Sequence, residues 1–297
     1  MARVQIPVDL RNPGQVFACL GFMEAAEVLC GPCEGAFAYD AGKTDTFFEI
    51  AVTGEENPVE ATLRFLGSAS VEAIAPSNSD ASMSAERWNV ATRRLASPSY
   101  PFACPDSPAT LAVALIDNRG TRISIEHWGD SSQAGRDNMK FWAGAGGYPG
   151  AALARDALAL LQNAGPKPLT SAANDPFSVQ LPQSSSFRFD WRRDYVPLDV
   201  GFSPNEHGNV VMMGFPLVEI LAAIGLQHAR PERPDRRDKL TYRYGVSNAM
   251  LPTSFVRAVL GCQSMNFPMR TFRMRLGWPG QEGQARCIID TREEAVT

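Results

Sequence analysis

The chain has 297 residues, 44% of them hydrophobic and 20% charged, with a formal net charge of −4. A chain of this length buries roughly 75% of its unfolded surface, so its core needs neither metal nor disulfide staples. No run reaches the roughly 20 apolar residues that span a bilayer, and the first residues lack the apolar stretch of a secretory signal. The expected setting is therefore the cytoplasm, with no membrane partner.

In chain order, residues 2–10 alternate as a strand and Asn12-Pro13-Gly14 breaks the chain. Residues 15–29 then carry apolar side chains at 16, 17, 20, 23 and 28, a helical spacing. Residues 44–52 read as a strand. Asn57 and Pro58 open a second helix to about residue 68, as N-cap and first helical position. Residues 76–108, rich in Ser, Pro, Asn and Ala, read as a surface excursion. Strands at 110–116 and 121–128 meet at Asp117-Asn118-Arg119-Gly120, a hairpin-like turn. A polar, then glycine-rich stretch at 129–150 runs into a helix at 151–162, and 163–186 reads as loop or linker.

The second half offers short strands at 187–191 and 209–213, a helix at 216–226 and a charged turn at 231–238. A strand at 239–246, a helix at 252–260 and two strands at 270–278 and 284–290 close the chain. The segments beginning at Val16 and Val218 echo one another, each a helix with a Gly on its packing face. The expected fold class is α+β, with mixed, mainly antiparallel sheets and packed helices. Two related α/β halves, 1–165 and 166–297, are one arrangement and a single fused domain the other.

Of the six cysteines, Cys19 and Cys287 read as reduced core residues. Cys30-Gly31-Pro32-Cys33 spells the thioredoxin-like pattern, but that chemistry needs the first thiol at a helix start. Here the motif follows a helix, which favours a helix-ending turn. A zinc site needs a second ligand pair that the chain does not offer. His127, Asp130 and Ser131 could form a hydrolytic set, yet no Gly-x-Ser-x-Gly elbow supports them. His207 lies in a loop and His228 just past a helix end. Neither a metal nor a cofactor is expected.

Charge is unevenly spread. Residues 1–150 hold 11 basic and 18 acidic side chains, whereas 151–297 hold 17 and 14, and 24 of the 28 basic residues are Arg. Arginine forks suit phosphates and guanine edges, although an arginine-favouring codon usage gives the same bias. Gly144, Gly146 and Gly147 precede a helix and could follow phosphates, helped by Arg136, Asn138 and Lys140; the alternative is a tight turn. The loop is neither a Walker loop nor a dinucleotide fingerprint. Between Phe187 and Tyr195, Arg188, Arg192 and Arg193 alternate with aromatics that could stack bases or simply fill the core. Arg270, Arg273 and Arg275, set among Phe272, Met274 and Leu276, pose the same choice.

Four strings carry a wider likeness: Ile6-Pro-Val-Asp-Leu-Arg-Asn-Pro-Gly-Gln-Val-Phe-Ala-Cys-Leu-Gly-Phe; His127-Trp-Gly-Asp with Lys140-Phe-Trp-Ala-Gly-Ala-Gly-Gly-Tyr; Gln183-Ser-Ser-Ser-Phe-Arg-Phe-Asp-Trp-Arg-Arg-Asp-Tyr; and Met274-Arg-Leu-Gly-Trp-Pro-Gly-Gln-Glu-Gly-Gln. Over nearly its whole length the chain resembles the small large-subunit family of type I-U (also called I-G) CRISPR effector complexes. That resemblance implies a non-catalytic subunit of Cascade, the RNA-guided surveillance complex. Its partners would be the crRNA-bearing backbone subunits, the crRNA, target DNA and the nuclease-helicase. Its roles would be recognition of the PAM, stabilisation of the opened duplex and recruitment of the nuclease. The chain is short for a large subunit, so the helical small-subunit-like part would be reduced or absent. A small hydrolase or nuclease at His127/Asp130 and a protein-only scaffold using the acidic first half are the rival readings.

Overall fold

Helix α1 (Pro13–Leu29) starts where Asn12 turns its side chain back to accept the Gly14 N–H at 3.1 Å. Pro13 supplies a first-turn φ and no orphan donor. Every residue from Pro13 to Ala26 is buried, so this helix is apolar on all sides and runs through the interior. Helix α4 (Pro216–Gly225) is buried along its whole length and crosses α1. In the computed structural model the described residues are 1–39, 45–77, 86–95, 112–125, 148–165, 172–193, 211–235, 237–278 and 286–294.

The crossing is made backbone to backbone. A Cβ on Gly21 would lie 1.9 Å from the Leu221 carbonyl oxygen, and one on Gly225 would lie 2.1 Å from that of Phe17. Leu221 precedes Gly225 by four residues and Phe17 precedes Gly21 by four, so the two contacts are mirror copies. Only a residue without a side chain permits this approach, which also allows weak Cα–H···O contacts. The echo between the two helical segments is thus a packing device.

Among the described residues, three sheets of three or four strands and one two-stranded pair accompany these helices. In the first, strands β1 (Ala2–Pro7), β2 (Cys33–Ala38) and β3 (Phe47–Val52) follow the order β1-β3-β2. All pairs are antiparallel, with Ile6 and Phe37 both opposite Phe48. Because α1 joins β1 to β2 and β3 pairs between them, this is a split β-α-β unit. Helix α2 (Pro58–Ser68) follows, capped by Asn57, which accepts from Val59 and Glu60 N–H groups. A second sheet has the order β5 (Ala91–Leu95), β4 (Ser70–Pro76), β6 (Ala112–Ile116), β7 (Arg122–Ile125), with β4 and β5 parallel. The β6–β7 turn forms as its sequence predicts. Asp117 accepts the Arg119 and Thr121 N–H groups, and Gly120 takes a φ of 82°.

Helix α3 (Gly150–Asn163) and the short pair β8 (Leu181–Pro182) and β9 (Met213–Gly214) lead to α4. The third sheet has the order β10 (Thr241–Val246), β12 (Arg270–Gly277), β13 (Cys287–Glu293). Between β10 and β12 come β11 (Leu251–Pro252), which extends the first sheet beside β2, and helix α5 (Thr253–Leu260). The α+β class expected from sequence is the class observed. One buried apolar cluster runs from Ile6 to Ile288 and includes both central helices, so the core crosses the 165/166 division.

Several elements differ from the sequence reading: β5 and β8 are strands within stretches read as a surface excursion and a loop, and three more differences have a clear cause. Strands β2 and β4 arise from stretches rich in Ala and Gly or polar residues, whose local propensity is weak. Cross-strand pairing with β3 and β6 organises them. Residues 187–191, expected as a strand, make no ladder. The Cys30–Cys33 segment is a helix-ending turn: the Cys30 N–H donates to Ala26 O at 2.7 Å and Gly31 has a φ of 93°. Burial pushes the Cys33 thiol up to about 12, although the Thr253 hydroxyl lies 3.2 Å away. Such a thiol stays protonated at neutral pH. Among the described residues no helix is long and apolar enough to cross a membrane.

Substituting Gly21→Ala or Gly225→Ala should cost at least about 1–3 kcal/mol or abolish folding, because the methyl group meets backbone that cannot step aside. Gly54→Ala, whose Cβ would sit 3.6 Å from its nearest neighbour, should be close to neutral. Chemical denaturation of the three variants checks the contrast.

Candidate nucleic-acid interface

The residues expected to touch nucleic acid fall into two groups. Arg136, Asn138, Lys140, Gly144, Gly146 and Gly147 lie outside the described residues, as do His127, Asp130, Ser131 and His207. Arg188, Arg192 and Arg193 belong to a strap, residues 183–193, laid across the starts of α1 and α4.

The strap is held by buried charge. The Glu219 carboxylate, in the first turn of α4, accepts the Phe189 and Asp190 N–H groups, both at 3.1 Å to Oε1. These are the amides a strand would have offered to a neighbour, which is why no strand forms here. Asp190, fully buried, accepts from the Asn12 side-chain amide at 2.9 Å and from Arg192 through its N–H and guanidinium. A Cβ on Gly14 would stand 2.8 Å from the Phe189 carbonyl, so the strap also rests on the first turn of α1. Both central helices therefore begin at the same end. The carboxylates of Asp190 and Glu219 occupy the positive ends of their dipoles, where an external anion would otherwise sit.

The strap arginines differ in exposure: Arg193 is buried, Arg188 half-buried and Arg192 exposed. Arg193 is 5% exposed and donates to the Gln183 and Ser184 carbonyls at 3.1 and 2.9 Å. Arg192 chelates Asp190, donates to the Phe177 carbonyl at 2.9 Å and stacks 3.7 Å above the Phe215 ring. Phe187 and Phe189 are buried, so these aromatics fill the core and do not stack bases. Arg188 adopts a φ of 67°, and its N–H donates to Ser186 Oγ at 2.9 Å. The phosphate and base-edge role expected of Arg193 does not fit its burial, whereas Arg192 is exposed but already engaged by Asp190 and the Phe177 carbonyl. Tyr148, which follows Gly147, and Ser185 of the strap donate to the same Asp156 oxygen at 2.6 and 2.7 Å. Tyr148 and the strap thus meet at Asp156.

A different set of arginines faces solvent. Alternation along β12 sends Phe272, Met274 and Leu276 into the core and Arg273 and Arg275 outward. The register then lines Arg243 of β10, Arg273 of β12 and Arg292 of β13 in one row across the sheet, with Arg275 beside Thr241 and Asp290 in the next. Directly opposed like charges weaken a sheet. Carboxylates offset part of that cost. Glu294 is 2.6 Å from both Arg243 and Arg273, Glu232 is 3.1 Å from Arg243, and Asp290 is 3.0 Å from Arg292. Arg275 is exposed; the Thr241 side-chain hydrogen bond holds the Asp238 carboxyl below its ordinary value, and the Arg275 charge helps. Among the described residues, four guanidinium groups thus stand among Glu232, Asp238, Asp290 and Glu294 on a face without aromatics. Exposed pairs of this kind are worth about 0–1 kcal/mol, so a phosphate can displace their acids.

Sequence reading found half of this face, since Arg273 and Arg275 stand in an alternating string. Arg243 also alternates, in Thr241-Tyr-Arg-Tyr, but only the strand register shows that it meets Arg273. Among the described residues no cluster of three or more His, Cys, Asp or Glu side chains is arranged to hold a metal. Comparison with protein-family models, with curated proteins and with solved structures found no match.

Arg193→Ala should act on stability, costing about 3–5 kcal/mol because it leaves buried acceptors and Glu219 without their counter-charge. Glu219 carries a pH signature. Burial raises its carboxyl from 4.5 to about 7. Below the unfolded value the group is neutral in both states and costs nothing; as pH rises from 4.5 to about 7 the buried charge costs on the order of 3 kcal/mol. Glu219→Gln should flatten the pH dependence of unfolding in that window. An unchanged pH profile in the variant would show that other groups carry it.

Proposed function

We propose that the chain is a non-catalytic nucleic-acid-binding subunit of an RNA-guided CRISPR surveillance complex of the type I-U kind. In this reading the exposed face of the β10-β12-β13 sheet follows the phosphate backbone of target DNA. The observation that carries the backbone contact is the cross-strand row Arg243–Arg273–Arg292 with Arg275 beside it. A row of like charges that costs sheet stability is accounted for by an anionic ligand. The assembly part of this reading rests on the resemblance of the four sequence strings to the large-subunit family. In such complexes guide pairing reads sequence while protein reads the short flanking motif and the backbone.

The character of the face suggests what kind of contact it makes. Among the described residues its outward side chains are Arg, Thr, Asp and the exposed Ile289 over Gly277, with no ring on which an unpaired base could stack. Backbone contacts of this kind are blind to sequence and strongly salt-dependent. Flank recognition in the assembly would therefore come from residues outside this face.

The test is a salt titration of duplex binding by the co-purified assembly, with wild type and the Arg273→Ala/Arg275→Ala double variant. Each lost phosphate contact should reduce the slope of log K against log salt by about 0.9. An unaltered slope would remove this face from the interface. Binding that is equally strong without co-purified partners and indifferent to the flanking sequence would overturn the assembly reading.

A further inference from the structure

A second surface, independent of the arginine face, lies at the opposite end of the central helices. A groove of about 960 Å³ opens there, between the last turns of α1 and α2, the end of α3 and the Asp117–Thr121 turn. Val28 on its wall is 51% exposed, in the last turn of a helix that is buried from Pro13 to Ala26. We propose that this groove docks a basic, partly apolar segment of a partner polypeptide, taking Arg or Lys side chains against its floor.

Three features select that occupant. The first is the meeting of helix ends. Helices α1, α2 and α3 all contribute their C-terminal turns to the lining, and none carries a basic residue in its last turn. Each such end presents about half a negative charge through its unsatisfied carbonyls. Gln162 serves only α2, donating to the Leu66 and Ala69 carbonyls at 3.0 and 2.8 Å.

The second is side-chain charge. Glu56, Glu60 and Asp117 line the groove against Arg64 and Arg119, and Arg64 is already paired with Glu56. Carboxylates therefore outnumber guanidinium groups even before the helix ends are added. An anionic ligand, nucleic acid included, is repelled.

The third is size and surface. The volume stands near the top of the range for ligand sites, about 300–1,000 Å³, which exceeds what a single cation needs. Apolar wall beside carbonyls and carboxylates matches a long basic side chain, whose stem packs while its head is hydrogen-bonded. A bare metal ion would leave that wall unused, and the described acids do not cluster as ligands.

The experiment uses the full chain and a labelled, end-capped short peptide of alternating Arg and Leu, read by fluorescence anisotropy. A peptide of alternating Glu and Leu is the control. The Arg peptide should bind about ten-fold tighter or better, a difference of about 1.4 kcal/mol. Val28→Arg should weaken it by a similar factor while leaving the melting temperature unchanged or raised, because it adds a cation to the last turn of α1. Glu60→Arg should weaken it likewise, which keeps the test decisive if one variant folds poorly. Glu34→Arg, the same charge change on an exposed strand position outside the lining, should leave binding unchanged. Equal binding of the two peptides, or wild-type affinity in Val28→Arg and Glu60→Arg, overturns the proposal. The Arg273→Ala/Arg275→Ala variant should bind the peptide normally, so failure of the nucleic-acid reading leaves this one standing.

Discussion

The close approach of two helix backbones at Gly21 and Gly225 governs the rest of the molecule. With carbonyls of Leu221 and Phe17 occupying the space of the missing Cβ atoms, the helices can meet at only one rotation and one height. That fixes which side of α1 faces the first sheet and which side of α4 faces α3 and β7. Tyr244 of the third sheet then reaches across to donate to the Leu10 carbonyl at 2.7 Å, and its ring lies edge-on to Phe17 and stacked on Phe272. Halves distant in sequence thereby share one core.

The same crossing gives the molecule an electrical polarity. The starts of α1 and α4 are brought under the strap, and their positive ends are answered from within by Asp190 and Glu219. The helix ends at the other side have no basic side chain to answer them. Buried carboxylates at the strap are expensive to desolvate, and Glu219 shows it in its elevated protonation range. What they secure is one conformation for residues 186–193. The bidentate pair of Glu24 with Arg257, at 2.6 Å for both contacts, ties α1 to α5 in similar fashion.

Arginine consequently has two uses in this chain. At the strap it is an internal connector, with Arg193 buried on the Gln183 and Ser184 carbonyls and Arg192 clamped on Asp190. On the third sheet it stands in a solvent-facing row, weakly paired and exchangeable. Composition cannot separate these uses, because both contribute equally to the same count of 24. Burial and pairing separate them at once.

Period, caps and tight turns were settled by the sequence itself. The Asn57 cap, the Asp117–Gly120 turn, the helix ending at Cys30 and the in-out alternation of Phe272, Arg273, Met274 and Arg275 all depend on residues a few positions apart. Tertiary structure alone decided where backbone amides and charges find partners. Residues 187–191 look like a strand until Glu219, about thirty positions away, takes the amides of Phe189 and Asp190. Strand β2 looks like nothing until β3 pairs with it, and Arg243 is one exposed cation among many until the register sets it against Arg273. Local energies choose the kind of element, whereas hydrogen bonds and charge pairs between distant segments choose its neighbours, and the candidate interface is made of neighbours.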